Sequence, residues 1–240
     1  MSLKLYFHPL ASFCHKVLIA LYENGTAFEP VIVDLLDETS SAAFRAVWPM
    51  ARMPVLRDDA RDRTVAESGV IVEYLDAHYP GTTRFLPADP DGAWQARMWD
   101  RFHDHYVQEP MQKIVTDRLR PAGTNDAYGV ARAKEQLHQA YAVIEREMAA
   151  KTWMTGGAFT LADRAAAPAL LYANTVVPFG ETRSELAAYL DRLAARPSFA
   201  RVLAEAEPYF RLFPMEKKPQ TAPDPACPVG PPHRRRDQTR

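Results

Sequence analysis

Cysteine is scarce in this chain: Cys14 and Cys227 are the only two among 240 residues. Two thiols cannot build the disulfide framework of a small secreted domain, and such sparing use suits a reducing compartment. An excess of one charge is lacking too. The formal net charge is −1, which removes the general electrostatic case for nucleic acid. No apolar run approaches the ~18 residues needed to span a bilayer. The opening "MSLKLYF" has neither the apolar core nor the small-residue cleavage site of a secretory signal. These absences point to a soluble, cytoplasmic protein without a nucleic-acid or membrane partner. What the chain does have is apolar material, 47% of its residues, enough for a real core.

The periodicity of that material changes along the chain. "LKLYF" reads as a strand ending at the turn His8-Pro9. From Phe13 the period is helical: Cys14, Val17, Leu18 and Leu21 share one face, and Asn24-Gly25 supplies a stop. "FEPVIVDL", "MPVL" and "TVA" read as further strands, with a weak helix over Ser40–Val47 and another marked by Val70, Ile71, Tyr74 and Leu75. After the Pro/Asp/Gly hinge "LPADPDGA" strand signals vanish. Trp94–Arg118 and Asp126–Ala150 read as long helices, and shorter ones follow over 160–173, 183–194 and 198–206. The spacing predicts an α/β domain over 1–82, a linker over 83–92, an all-helical bundle domain over 93–210 and a Pro/Arg-rich tail, extended or disordered, over 211–240.

The stretch "HPLASFCHKVLIAL" places a strand–turn–helix corner at residues 11 to 14. The first N–H groups of such a helix, with its dipole, stabilise an anion or a thiolate. In Cys-x-x-Cys redox proteins the leading thiol sits there; here the slot is Ala11, so a two-cysteine cycle is not available. Cys14 lies on the apolar stripe and reads as a core residue, with a one-thiol nucleophile and a redox sensor as alternatives. Ser12 reads as a helix N-cap, and its hydroxyl can also donate to an anion held over the same terminus. The corner has lost its own thiolate and kept an anion cradle, so the thiol should arrive with a ligand.

Together with "WPMARMPVL" and "VAESGVIVEYL", this corner resembles the cytosolic glutathione transferases, and the later "FTLADRAAAPAL" strengthens the likeness over about residues 3–208. The resemblance implies a thioredoxin-like N-terminal domain followed by an all-helical domain, glutathione as co-substrate, and a homodimer. It implies that Pro54 is cis and that the backbone of Met53 pairs with the cysteine of glutathione. Glu67 would meet the γ-glutamyl ammonium, Ser68 its carboxylate, and Arg52 the glycyl carboxylate. Thr160 and Asp163 would form a structural helix cap. The family's usual catalytic side chain falls at Ala11, one residue before Ser12, which leaves Ser12 or a backbone N–H to activate the sulfur.

The reaction implied is attack of glutathione thiolate on a small hydrophobic electrophile, as in detoxification. The electrophile should lie between the domains, where Trp99, His103 and Tyr106 share a helix face; packing within the bundle explains the same spacing. His103 and His105 point apart on a helix and suggest no third ligand, so no metal is expected. Two alternatives remain: glutathione-dependent disulfide reduction or peroxidase chemistry, and a non-catalytic binding protein that kept the fold.

Overall fold

Alternation governs the first strand. In β1 (Leu3–Phe7) the odd residues Leu3, Leu5 and Phe7 are buried, whereas Lys4 and Tyr6 are only partly covered, the period of two that puts every second side chain on one sheet face. The computed structural model describes residues 2–220. β1 pairs in parallel with β2 (Glu29–Ile32) and antiparallel with β3 (Val55–Asp58), which pairs antiparallel with β4 (Arg63–Ala66). The sheet order is therefore β2-β1-β3-β4. The helices of this half are α1 (Ser12–Glu23), α2 (Glu38–Val47) and α3 (Ser68–His78). The arrangement is the expected thioredoxin-like α/β domain.

Helix α1 is buried almost all round, from Cys14 through Leu21. It lies between the sheet domain and the helical domain, against α3 on one side and α7 (Leu161–Val176) and α9 (Pro197–Ala206) on the other. One continuous apolar core therefore runs from β1 through α1 into the bundle. A small separate cluster of Val33, Phe44 and Val55 fastens α2 to the sheet.

The linker is short and pinned. Asp76 accepts the N–H groups of Phe85 and Leu86 at 2.8 and 3.0 Å, and the Asn24 amide bonds both backbone groups of Thr83 at 2.9 Å. Helix α4 (Pro90–Phe102) starts inside the expected 83–92 linker, because Asp89 caps it through the Gly92 N–H at 2.6 Å and Pro90 fits a first turn. The long helix expected over 94–118 is interrupted. A π-helical turn (His103–Gln108) separates α4 from α5 (Glu109–Asp117). Pro110 accounts for it: the residue has no N–H to give the Tyr106 carbonyl and crowds it, and the wider turn relieves both defects.

Helices α6 (Ala127–Met148), α7, α8 (Ser184–Ala194) and α9 follow as the periodicity predicts. The capping box of α7 is present: Asp163 accepts the Thr160 N–H at 2.9 Å and Thr160 accepts the Ala162 N–H at 3.3 Å. The start of the expected tail is not free: a 3-10 turn (Glu207–Leu212) leads into Phe213, buried against Tyr172 with ring centroids 5.4 Å apart. The remainder of that tail, residues 221–240 with Cys227 and the arginine run, lies outside the described residues. Among the described residues no helix is long and apolar enough to cross a membrane.

Candidate functional site

The β1–α1 corner delivers the first group. Ala11 occupies the N-cap position with extended backbone (φ −80°, ψ 116°), so Ser12 is the first helical residue rather than the cap. The Ala11 carbonyl accepts from Cys14 at 2.9 Å and His15 at 3.1 Å, leaving the N–H groups of Ser12 and Phe13 with no helical acceptor. Ser12 is 8% exposed. Its hydroxyl makes no hydrogen bond to another described residue, and it borders a cavity of about 570 Å³.

Cys14 lies one turn deeper with no exposure, and burial pushes its thiol up to about 12. A thiol so placed stays protonated at neutral pH and has no access to a substrate. Cys14 thus sits in the core, as its place on the apolar stripe suggested.

The segment before β3 forms the opposite lip. Ala51 takes a left-handed φ of 50°, the Met53–Pro54 bond is cis, and Arg52 and Met53 border the same cavity, Arg52 exposed at its rim. Pairing begins only at Val55, so the backbone of Met53 is free of the ladder. Val55 pairs with Ala66. Glu67 precedes α3 with a φ of 68°, a conformation costly for a side-chain-bearing residue. It is exposed, whereas Ser68 is 5% exposed in the first turn of α3. Ser12, Arg52 and Met53 border one cavity, and Glu67 and Ser68 stand where β4 gives way to α3.

Beneath both helix starts lies an ion cluster that the motifs do not mention. Lys16 is 2% exposed at its side chain, with Nζ 2.6 Å from Asp104 Oδ1 and 3.0 Å from Asp100 Oδ1. Buried Arg164 reaches Asp100 at 3.2 Å, and Arg101 bonds Asp100 and lies 3.2 Å from Asp104. Burial opposes the charge on Asp100, yet Lys16, Arg164 and Arg101 hold its carboxyl below the ordinary range. At Asp104 burial wins, and its carboxyl is pushed up despite Lys16. Burial also pulls Lys16 down, but two carboxylate oxygens within 3.0 Å hold the ammonium form.

Arg101 carries this cluster up to the N-terminus of α3, where Glu67 also acts on it. The approach is close: a Cβ on Gly69 would come 2.5 Å from Arg101 Nη2 and 3.0 Å from Asp100 Oδ2. A charged residue in a helix otherwise buried all round, opposite two aspartates four apart, is the signal that could have found this cluster.

The far wall of the cavity is not the one the helix face suggested. It comes from Met111 and Val115 of α5, Tyr172 of α7 and Phe213, with Leu35 at one side. Trp99 and His103 are buried in the bundle at 7% and 0% exposure; the His103 ring bonds the Trp99 carbonyl, and burial lowers it to about 4. Tyr106 is 51% exposed and lines a different groove, between α5 and α6. The π-helical turn is the cause. Its wider winding makes Tyr106 lag behind the face that Trp99 and His103 share. Among the described residues no group of three or more His, Cys, Asp or Glu side chains is placed to hold a metal ion.

Comparison with known proteins agrees with this geometry. A family model for the glutathione S-transferase N-terminal domain matches residues 5–83, and one for the C-terminal domain matches residues 102–197. Glutathione S-transferase 3 of Zea mays is 33% identical over 210 residues, 84% of this chain and 93% of the relative. Glutathione S-transferase GstB of Escherichia coli strain K12 is 26% identical over 190 residues, 78% of this chain and 91% of the relative. A solved glutathione S-transferase from Methylobacterium radiotolerans, in complex with glutathione sulfonate, matches at TM-score 0.73 and 30% identity, covering 83% of this chain and 93% of that one. A thioredoxin-like sheet domain joined to a helical bundle, with both domain matches in order, makes this chain a member of the glutathione S-transferase family.

Proposed function

We propose that the protein is a glutathione transferase that activates the thiol of bound glutathione for attack on a small hydrophobic electrophile. The observation that carries this reading is the pairing at one corner of unspent donors with an apolar cavity. Ser12 and Phe13, at the start of α1, border the cavity with a hydroxyl and N–H groups that no described residue uses, and the protein's own Cys14 is buried one turn deeper. In this mechanism Met53 pairs its backbone with the cysteinyl residue of glutathione. Glu67 binds the γ-glutamyl ammonium, and Ser68 with the α3 N-terminus binds its carboxylate. Arg52 meets the glycyl carboxylate. Ser12 and the α1 N–H groups then lower the thiol pKa toward neutrality. The glutathione sulfonate bound by the Methylobacterium radiotolerans protein supports the ligand.

The setting proposed is the cytoplasm, and the assembly a homodimer. Exposed Val70 on α3 and Trp94 and Met98 on α4 offer an apolar face for a second copy. Ala11 in the usual catalytic slot favours one competing reading, a binding protein without turnover. Ser12→Ala decides between them. Loss of one hydrogen bond to a charged sulfur, ~1.5–3 kcal/mol, should lower kcat/KM about tenfold or more. The thiol pKa of the complex should rise while calorimetric glutathione affinity changes little. Unchanged turnover would remove Ser12 from the mechanism, and absence of turnover in the unsubstituted protein would leave the binding reading.

A further inference from the structure

Two buried polar side chains near the start of α1 have no hydrogen-bond partner among the described residues, and they line the same space. Gln108 ends the π-helical turn at 3% exposure, and neither its amide oxygen nor its amide nitrogen is bonded. Ser12 opens α1 at 8% exposure with its hydroxyl unbonded. Both border a narrow void between α1, the π-helical turn and α7. Ser12 and Phe13 border the larger cavity as well, so the two spaces meet at the first residues of α1. Gln108 does not line the larger cavity.

The void offers these two groups little besides each other. Lys16 and Asp104 also line it, but they are taken up in the ion cluster, 2.6 Å from one another. The rest of the wall is apolar, Phe13 with Ala165, Pro168 and Ala169 of α7. The space is too tight for a water molecule. A buried amide with neither end bonded destabilises a fold, and such a group calls for a reason beyond packing. A hydroxyl that donates to a thiolate turns its oxygen lone pairs away from the sulfur. A donor at those lone pairs fixes the direction of the O–H and strengthens it by polarisation.

We infer that Gln108 is a positioning residue for thiol activation: its amide N–H donates to Ser12 Oγ across the void and aims the Ser12 hydroxyl at the glutathione sulfur. This rests on the transferase reading above. The step makes and breaks no covalent bond, since one hydrogen bond, Gln108 to Ser12, lines up a second, Ser12 to sulfur. The flexible Gln108 side chain supplies the swing that closes the first. A donor oriented before the reaction stabilises developing charge without reorganising at the moment of attack. The amide is thus retained at a cost in stability for what it does to Ser12.

The test is a cycle of four proteins: the unsubstituted chain, Gln108→Met, Ser12→Ala and the double variant. The thiol of bound glutathione is titrated by its ultraviolet thiolate absorbance, which needs no electrophile, and turnover is read with chlorodinitrobenzene. In Gln108→Met the thiol pKa of the complex should rise and kcat/KM should fall about fivefold, while calorimetric glutathione affinity holds. In the Ser12→Ala background the same substitution should change neither quantity, because the group it acts through is gone. Damaged packing would instead lower both backgrounds alike. An unchanged thiol pKa in Gln108→Met would overturn the inference alone, as would an equal rise with and without the Ser12 hydroxyl. Absence of glutathione heat in the unsubstituted protein would overturn it together with the transferase reading.

Discussion

Replacing Lys16 by methionine should cost more stability than any change on the cavity surface. Its Nζ makes two contacts with buried carboxylates, at 2.6 and 3.0 Å. Asp104 Oδ1 has no other bonded partner, and its Oδ2 keeps only the half-exposed Arg101 at 3.2 Å. Two charge-assisted bonds at ~1.5–3 kcal/mol each set the upper range, and protonation of Asp104 returns part of it. The expected loss is about 3–5 kcal/mol, typical of breaking a buried pair and a large share of an ordinary stability of ~5–15 kcal/mol.

Urea titration of Lys16→Met against the unsubstituted protein measures this loss. The double substitution Lys16→Met, Asp104→Leu should recover most of it, since no buried charge is then stranded. The pH dependence has a definite sign. Asp104 binds its proton more tightly folded than unfolded, and more so without Lys16. Its ionisation therefore penalises the folded state at neutral pH, and the penalty fades as pH falls through the raised value toward ~4. The gap between Lys16→Met and the parent should narrow over that window. A loss below about 1 kcal/mol, or a gap that widens with acid, would refute the assignment of Lys16 as the counter-charge.

Two further outcomes concern stability. Gln108 is 3% exposed, and neither of its amide atoms has a partner, so Gln108→Met should raise stability by about 1–2 kcal/mol, read as a higher Tm; a loss of that size would show that the amide is satisfied in solution. Thr160→Ala removes the α7 cap and should cost about 1 kcal/mol in a denaturant titration while leaving glutathione affinity intact in the folded fraction; unchanged stability would count against the cap.

Local pattern carried much of the fold and one lip of the cavity, Ser12 with Arg52 and Met53. Leu3, Leu5 and Phe7 announced β1 by alternation, and Cys14, Val17, Leu18 and Leu21 announced α1 by helical spacing, because each signal is written within a few residues. The start of α3 at Ser68, directly after Glu67, was legible from its local pattern. The cavity wall was not legible. Leu35, Met111, Tyr172 and Phe213 come from four separate stretches, and only tertiary packing brings them together. Lys16, Asp100 and Asp104 escaped for a related reason: a charge pattern on one helix does not reveal that its partner lies 88 residues away. Trp99, His103 and Tyr106 do not share one face because the π-helical turn over His103–Gln108 breaks the period that would relate them.

That interruption also sets where the helical half tolerates changes of length. A wide turn takes up a residue that ordinary winding cannot, so an insertion or deletion within His103–Gln108 can be absorbed while α4 and α5 keep the neighbours they have. The same change inside the regular turns of α6 would rotate every later side chain by about 100° and strip the core of that face.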